Sequence, residues 1–254
     1  MEIDGIKYRM SYDLHTHTTY SRGLIKPHGK GRTDQNVASA AASGLRGIAI
    51  TDHGPGHAFY GIKWEDYPFQ KEEILQARHD YPNMDIFHSV EANIVESENY
   101  LDISKNDAEK FDFIIGGYHF GARDCHGIAN WLASKGLMSK KRKEMLKRRN
   151  TRLVVNALDN NPLKILTHPG DKAEVDMNEV AAACERNHTL MEINNRHAFL
   201  SIEDIRTAMK YDVMFVISSD AHVPEAVGSF EAGLRRAVEA GLDLSRIANI
   251  ESVT

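Results

Sequence analysis

The chain has 254 residues, of which 42% are hydrophobic and 26% charged, and its formal net charge is -5. It is large enough to bury a core, and its acidic balance gives no general reason to expect DNA or an acidic membrane as a partner. No stretch approaches the ~20 apolar residues of a membrane span, and the charged start lacks the apolar core of a signal peptide. Cys125 and Cys184 show no C-x-x-C spacing. We therefore expect a reduced, cytoplasmic compartment.

Short apolar runs alternate with amphipathic segments along the chain. Seven runs are typical of strands, over residues 8–15, 46–53, 84–95, 111–119, 162–170, 189–195 and 213–222. Helices are predicted over 33–44, 64–80, 150–161, 176–187, 201–212 and 229–241. No repeat or Pro/Gly-rich linker divides the sequence, so we expect one domain over residues 1–254.

Nearly continuous apolar strands, each followed by a helix or a long loop, predict an α/β fold with a parallel sheet covered by helices. Polar residues stand at or just past the strand ends: His15, His17, Asp52, His53, Glu91, His119, His168, Glu192, Asn194, Asp220 and His222. In a closed barrel these ends meet around one rim, whereas an open sheet would spread them along a line. The pattern favours a TIM-like barrel with the site at the C-terminal rim.

The residue types at these strand ends are those that bind metals. His15 and His17 alternate out of the first strand, so their side chains share one face. Taken alone, such a pair is more simply a polar strand end in water. The whole set, however, exceeds the about three protein ligands of one catalytic zinc, which favours two or three metals. Imidazole and carboxylate ligands suit Zn, Mn or Fe alike.

Seven short motifs carry a family resemblance. In chain order they are DLHTHT, ITDHGPG, EANI, GGYH, THPGD, EINN and SSDAH. Together they resemble the PHP (polymerase and histidinol phosphatase) superfamily, and TDHGP, HPG and EINN are most similar to its YcdX-like branch of small phosphatases. The resemblance implies a distorted seven-stranded (β/α) barrel with a trinuclear metal site, holding at least two divalent transition metals, that hydrolyses phosphate esters.

The resemblance also implies nine metal ligands. They are His15, His17, Glu91 and Asp220 for the first metal, Glu91, His119 and His168 for the second, and His53, His222 and His28 for the third. The position of His28 departs from the family, which usually offers a histidine or an acidic residue sooner after the H-x-H pair. Arg22 occupies the position at which the family has this acidic residue. We expect His28 to bind the third metal, with an ordinary loop histidine as the alternative, and Arg22 is a candidate phosphate clamp.

Further polar residues have weaker assignments. Asp13 and Asp52 either orient ligand imidazoles or bind the backbone at strand ends. Glu192 and Asn194 either support the site or make structural hydrogen bonds, and Arg196 is a candidate phosphate contact. His57 is expected to be a solvated loop histidine. No chemistry is assigned to His79, His88, His126, His188, His197, Cys125 or Cys184.

The expected function is hydrolysis of small phosphomonoesters by a metal-activated hydroxide. A histidinol-phosphate phosphatase is the alternative within the same chemistry, and a phosphodiesterase or nuclease is a second. Only the basic run from Lys140 to Arg149 supports the nuclease. This run is more simply explained as the solvent-exposed face of a helix, so nucleic acid is not expected as a partner. A site that binds metal without turnover is a third alternative. Oligomeric state is not predicted.

Overall fold

Parallel strands that end beside one another form the centre of the molecule. The structure, a computed structural model, describes residues 1–23 and 27–253. Its strands are β1 (Glu2–Ile3), β2 (Ile6–Met10), β3 (Tyr12–Thr16), β4 (Gly47–Ile50), β5 (Asp85–His88), β6 (Val90–Asn93), β7 (Ile114–Gly117), β8 (Leu163–Leu166), β9 (Leu190–Asn194), β10 (Phe215–Ser218) and β11 (Ile250–Val253). Its helices are α1 (Thr33–Ala42), α2 (Tyr67–Asp80), α3 (Lys105–Ala108), α4 (Gly127–Ser134), α5 (Lys140–Asn160), α6 (Met177–Asn187), α7 (Ile202–Ala208) and α8 (Glu231–Ala240).

The hydrogen-bonded ladders define three sheets. One parallel sheet has the order β3-β4-β5, and a second has the order β10-β9-β8-β7-β6. Isolated parallel bridges join their edges, Thr16 with Ala221 at one side and His53 with Glu91 at the other. The prediction of an α/β fold with parallel strands is confirmed. One continuous seven-stranded sheet is not found among the ladders of residues 1–23 and 27–253.

Two predicted strands are each divided in the structure. The run 84–95 breaks at Ser89 into β5, which pairs with β4, and β6, which pairs with β7. The run 8–15 breaks at Ser11 into β2 and β3, and β2 pairs with β1 and β11 in a small antiparallel sheet. Apolar periodicity predicts that these segments are extended, but it carries no information about which neighbour each half pairs with.

Burial on both faces explains why the sequences of the strands are continuous apolar runs. Ile48 and Ile50 of β4 and Ile115 of β7 are fully buried, because both faces of these strands are covered. Each such side chain contributes about 1.5–3 kcal/mol through burial. Some helices begin at a side-chain cap, as α7 does at Ser201, whose hydroxyl accepts from the Asp204 backbone N–H.

The segment between β7 and β8 differs most from prediction. The predicted helix 150–161 begins at Lys140 in α5, so that the basic run forms its first turns, and α4 precedes it without having been predicted. Across the part of the chain that the structure describes, no helix combines the length and apolarity needed to cross a membrane.

Candidate metal centre

Glu91 lies at the centre of the predicted ligands. Its Oε2 is 3.0 Å from His53 Nδ1 and 3.4 Å from His15 Nε2. Its Oε1 is 3.1 Å from His168 Nε2 and 3.3 Å from His119 Nε2. Burial alone raises the pKa of Glu91, but the imidazoles of His119 and His15 outweigh it and hold the pKa well below its usual value. The carboxylate is therefore charged. One of its oxygens faces His53 and His15, and the other faces His168 and His119.

The backbone around Glu91 is shaped to admit it. Glu91 Oε1 accepts from the Thr167 hydroxyl at 2.7 Å, and a Cβ on Gly117 would lie 2.9 Å from the same oxygen. Only glycine fits at this place on β7. His168, two residues after the end of β8, has a positive φ of 30°, and Asp220 has a positive φ of 52°. Both positions carry backbone strain, which persists where the surroundings hold a functional conformation in place.

His15, His17 and Asp220 form one side of the cluster. His15 Nε2 and His17 Nε2 are 3.1 Å apart, and Asp220 Oδ1 is 3.3 Å from His17 Nε2 and 3.7 Å from His15 Nε2. Burial opposes the charge on Asp220, yet His15 and His17 hold its pKa well below normal. The three side chains converge on one point with the spacing of a metal-binding set.

The donor atoms fit bound cations. Three groups, each with its ligand atoms within 4.8 Å of one another, are present among the described residues: His15, His17 and Asp220; His17, His53 and His222; and His53, Glu91 and His119. Within residues 1–23 and 27–253, both His53 ring nitrogens, Glu91 Oε2 and His119 Nε2 are buried without a hydrogen-bond partner. Buried polar atoms are rarely left unpaired. Divalent cations would satisfy them.

The loop after β3 brings His28 to the other end of the cluster. His28 Nε2 is 2.8 Å from His222 Nε2, and the His28 ring stacks on Tyr60 with centroids 3.9 Å apart and planes 5° apart. Burial and the neighbouring His222 lower the pKa of His28 to about 3, so this imidazole is neutral and has a lone pair to offer. All nine predicted ligands thus lie in one cluster. Their binding of metal stays a prediction.

Groups outside the cluster orient its imidazoles. Glu192 Oε1 is 2.7 Å from His15 Nδ1, and the other oxygen accepts from the His168 backbone N–H at 2.7 Å. Asn93 Oδ1 is 2.8 Å from His119 Nδ1. A ring whose Nδ1–H is held in this way presents its Nε2 lone pair, here toward Glu91.

Asn93 was not singled out in the sequence, although its period-two position after Glu91 puts both on one face of β6. Its amide nitrogen donates to Asp102 Oδ2 at 2.6 Å, and this bond fixes which way the amide points. Burial raises the pKa of Asp102 to about 6, against the lowering effect of the Asn93 hydrogen bonds. Asp102 also accepts from the Gly56 backbone N–H and so connects β6 to the loop after His53.

Asp52 and Asp13 accept hydrogen bonds from backbone N–H groups, and Asp52 also from neutral side chains, but neither accepts from a ligand imidazole among the described residues. Asp52 accepts from the Thr18 backbone N–H at 2.7 Å, the Ser21 hydroxyl at 2.6 Å and Gln70 Nε2 at 2.7 Å. Asp13 accepts from backbone N–H groups at the ends of two other segments. The expectation that these carboxylates orient ligand imidazoles is wrong, and the alternative of hydrogen bonding at strand ends holds. Asp52 anchors the turn after His17.

Arg22 and Arg196 are placed differently. Arg22 Nη2 pairs with Asp66 Oδ1 at 2.8 Å, and more than half of its side chain is exposed. It does not line the cleft, so the expected phosphate clamp is not found at this position. Arg196 does line the cleft, with Nη1 3.7 Å from Asp220 Oδ2. The same Nη1 is 3.3 Å from His197 Nε2, and the side chain lines the space above the cluster.

A cleft of about 400 Å³ opens over the cluster, and its walls include Lys172, Arg196, Phe59 and two histidines with no assigned chemistry. His197 Nε2 is 3.2 Å from Asp220 Oδ2. His57 is buried and stacks on Tyr60, so the expectation of a solvated loop histidine is wrong. His57 also accepts from the Tyr60 backbone N–H at 3.1 Å within its own loop, whereas Asp220, the partner of His197, follows a different strand.

Parallel strands that end in a buried set of histidines and carboxylates define a metalloenzyme of the α/β class. Residues 13–196 match the profile of the PHP domain, and the chain belongs to this family. It is 28% identical over 247 residues to a "probable phosphatase" of Syntrophotalea carbinolica, covering 93% of this chain and 90% of the relative. It is 27% identical over 249 residues to a "probable phosphatase" of Shewanella sediminis, covering 93% and 88%.

Solved structures share the fold. The histidinol phosphate phosphatase of Lactococcus lactis, in complex with zinc, L-histidinol and phosphate, has a TM-score of 0.60 at 16% identity over 92% of this chain and 95% of that chain. A chain of an archaeal ribonuclease P bound to mature tRNA has a TM-score of 0.53 at 12% identity, over 90% and 87%. At these identities the similarity concerns the fold alone. The predicted family and the predicted class, a metal-dependent phosphatase, are confirmed.

Proposed function

We propose that the protein hydrolyses small phosphomonoesters at a centre of two or three divalent metals held by the nine clustered residues. The observation that carries the proposal is that several buried ring nitrogens and the Glu91 Oε2 oxygen, among the described residues, have no hydrogen-bond partner within the cluster of ligand atoms. When bound, divalent metals supply a Lewis acid and an activated water at neutral pH. The proposal extends to Zn, Mn or Fe as the metal and to a cytoplasmic location.

The protein's own residues bind and orient the substrate. Arg196 lines the cleft, and its guanidinium would hold phosphate oxygens in the planar, bidentate manner that Arg favours. Lys172 adds a second positive charge to the same wall. Glu91 and Asp220 hold negative charge at the floor, and with two metals in place their charge is more than offset. The phosphoryl group is thereby directed to the floor and the alcohol toward the mouth.

The walls of the cleft exclude bulk water from the floor. His53, Glu91 and Asp220 are almost fully buried, whereas Phe59 at the mouth is half exposed. A volume of about 400 Å³ suits a small phosphorylated metabolite better than a polymer. This size favours phosphomonoesters over phosphodiesters of nucleic acids.

The proposal includes the way in which the two parallel sheets meet. The bridges between Thr16 and Ala221 and between His53 and Glu91 support a single, distorted seven-stranded barrel that is interrupted at two places, and one domain over residues 1–254. Both interruptions lie at predicted metal ligands or their neighbours.

Metal content per chain, paired with hydrolysis of a generic phosphomonoester before and after chelation, tests the proposal. Two to three transition metals per chain and hydrolysis that is lost with chelator and restored by Mn or Zn are expected. A panel of phosphomonoesters that includes histidinol phosphate then ranks substrates, and a strong preference for histidinol phosphate would make that the function. One metal or none, with no hydrolysis after reloading, contradicts the proposal.

A further inference from the structure

Two faces of the chain expose apolar side chains within fields of opposite charge. The first is the basic hairpin, residues 127–149, which comprises α4, the following turn and the first half of α5. The second is the acidic groove, the surface between α1 and α2 around Phe69. We propose that the basic hairpin of one copy docks in the acidic groove of a second copy, and that the protein self-associates head to tail through this contact.

The basic hairpin exposes large apolar side chains of the kind that protein interfaces bury. Ile128 is 81% exposed, Leu137 67% and Trp131 48%. Large apolar side chains clustered on one projecting element mark interaction sites in soluble proteins, whereas single ones do not. Tryptophan is also one of the side chains enriched among the residues that carry most of the binding energy in protein interfaces.

The hairpin is strongly charged around these apolar residues. It contains eight basic residues and one acidic residue, Glu144. Lys147 and Arg149 pair with glutamates elsewhere in the fold, whereas Lys140, Lys141 and Arg142 form no salt bridge within residues 1–23 and 27–253. The chain as a whole is acidic, so this cluster stands out against the rest of its own surface. Its partner should be apolar at the centre and acidic at the edge.

The acidic groove has this complementary form. It has a volume of about 520 Å³, and Phe69 at its edge is 65% exposed. Four carboxylates line it: Asp34, Glu72, Glu73 and Asp80. The one arginine in its lining, Arg32, already binds Asp34 through two hydrogen bonds at 3.0 and 2.7 Å. The groove therefore keeps a negative charge for an incoming basic surface.

A second copy of the chain explains the apolar residues better than nucleic acid does. Ile128 and Leu137 offer nothing to a phosphate backbone, and the basic run from Lys140 to Arg149 has no interleaved aromatic residues on which bases stack. A contact between two different faces of the same chain is heterologous, so it closes into a ring or extends as a chain of copies. This inference does not depend on the proposed phosphatase activity.

Sedimentation velocity over a range of protein concentrations, at low and high salt, tests the proposal. The wild type should self-associate, and less at high salt, because exposed charges are screened. A hairpin variant (Ile128→Ser with Trp131→Ser) and a groove variant (Phe69→Ser) should each lose about 30-fold or more in association. Val238→Ser, an exposed apolar residue on α8, is the matched control and should associate as the wild type does.

Mixing the two variants makes the test decisive. The hairpin variant keeps an intact groove and the groove variant keeps an intact hairpin, so a 1:1 mixture should form a heterodimer and nothing larger. Two separate monomers in the mixture, a monomeric wild type at every concentration, or undiminished association of the hairpin variant would each overturn the proposal. Binding of a fluorescent single-stranded oligonucleotide through the hairpin, with the wild type monomeric, would reassign this surface to nucleic acid. Circular dichroism verifies that the variants are folded.

Discussion

The two halves of the metal cluster are built in different ways. Around Glu91, the imidazoles of His15 and His119 extend from strand ends, and each has its second ring nitrogen held, by Glu192 and by Asn93. At the other end, His28 comes from a loop and is held by ring stacking on Tyr60 and by contact with His222. The strand-built half is thus preorganised by hydrogen bonds, whereas the loop-built half is arranged by packing. The difference predicts unequal sensitivity to substitution.

The largest effect is expected at the centre of the strand-built half. Glu91→Gln removes the charge that the two carboxylate oxygens present to the surrounding imidazoles, so metal binding should fail at more than one position. Since metal charge stabilisation amounts to several kcal/mol, the turnover rate should fall about 10³-fold or more. Turnover and metal content per chain are measured together. Glu96→Gln, an exposed carboxylate that pairs with His126, should change neither. Retention of full metal content by the Glu91 variant would show that this carboxylate is not a bridge.

A smaller loss is expected when the strand-built half loses an orienting group. Glu192→Leu leaves His15 Nδ1 without its partner and should weaken metal affinity by about 10–100-fold. Glu192→Gln keeps an acceptor oxygen at the same place, so it should lose less. Competition with a chromogenic chelator measures the affinity. Equal losses in the two variants would indicate a role in packing alone.

The loop-built half should respond more weakly. His28→Gln is expected to remove about one metal per chain and to lower turnover about tenfold, because one ligand of the set is lost and the strand-built half stays intact. Tyr60→Leu should reproduce part of this effect by removing the stacked ring, whereas Tyr60→Phe keeps the ring and should behave as the wild type. Full metal content in His28→Gln would return this residue to the alternative of an ordinary loop histidine.

The smallest effect concerns stability and lies outside the metal cluster, at the contact between β5 and α2. Burial lowers the pKa of His88, on β5, to about 4. Its ring nitrogen Nε2 is 2.9 Å from Gln70 Oε1. In the unfolded chain a histidine has a pKa near 6.5 and is protonated below that pH, whereas His88 in the folded chain stays neutral down to about pH 4. The unfolded state therefore binds more protons in this range, and the free energy of unfolding decreases as the pH falls from 6.5 to 4.

Between pH 7 and 5.5 this linkage amounts to about 1 kcal/mol. Urea unfolding in the presence of chelator should show the wild type losing about that much more than His88→Gln over this interval. The exposed His79→Gln on α2 serves as the control and should follow the wild type. Parallel curves for the wild type and His88→Gln would contradict the assignment.

The sequence by itself was sufficient to predict which polar residues lie at the strand ends and to which class the fold belongs. Period-two alternation places His15 and His17 on one face, and a residue just past a parallel strand must lie at the common rim. These are local rules, and they require only that each strand exists. Eight of the nine predicted ligands lie at or just past strand ends for this reason, whereas His28 lies in a loop and was predicted only from the family resemblance.

Tertiary structure alone decided what supports the ligands and where the sheet divides. Asn93 and Asp102 hold His119 through contacts that join β6 to a separate loop, and His197 lies against Asp220 from another strand end. Asp52 had the same local pattern as a supporting residue, yet its neighbours in space are backbone N–H groups and hydroxyls. A hydrogen bond needs a partner at a set distance and angle, and for residues far apart in sequence only the folded chain fixes both.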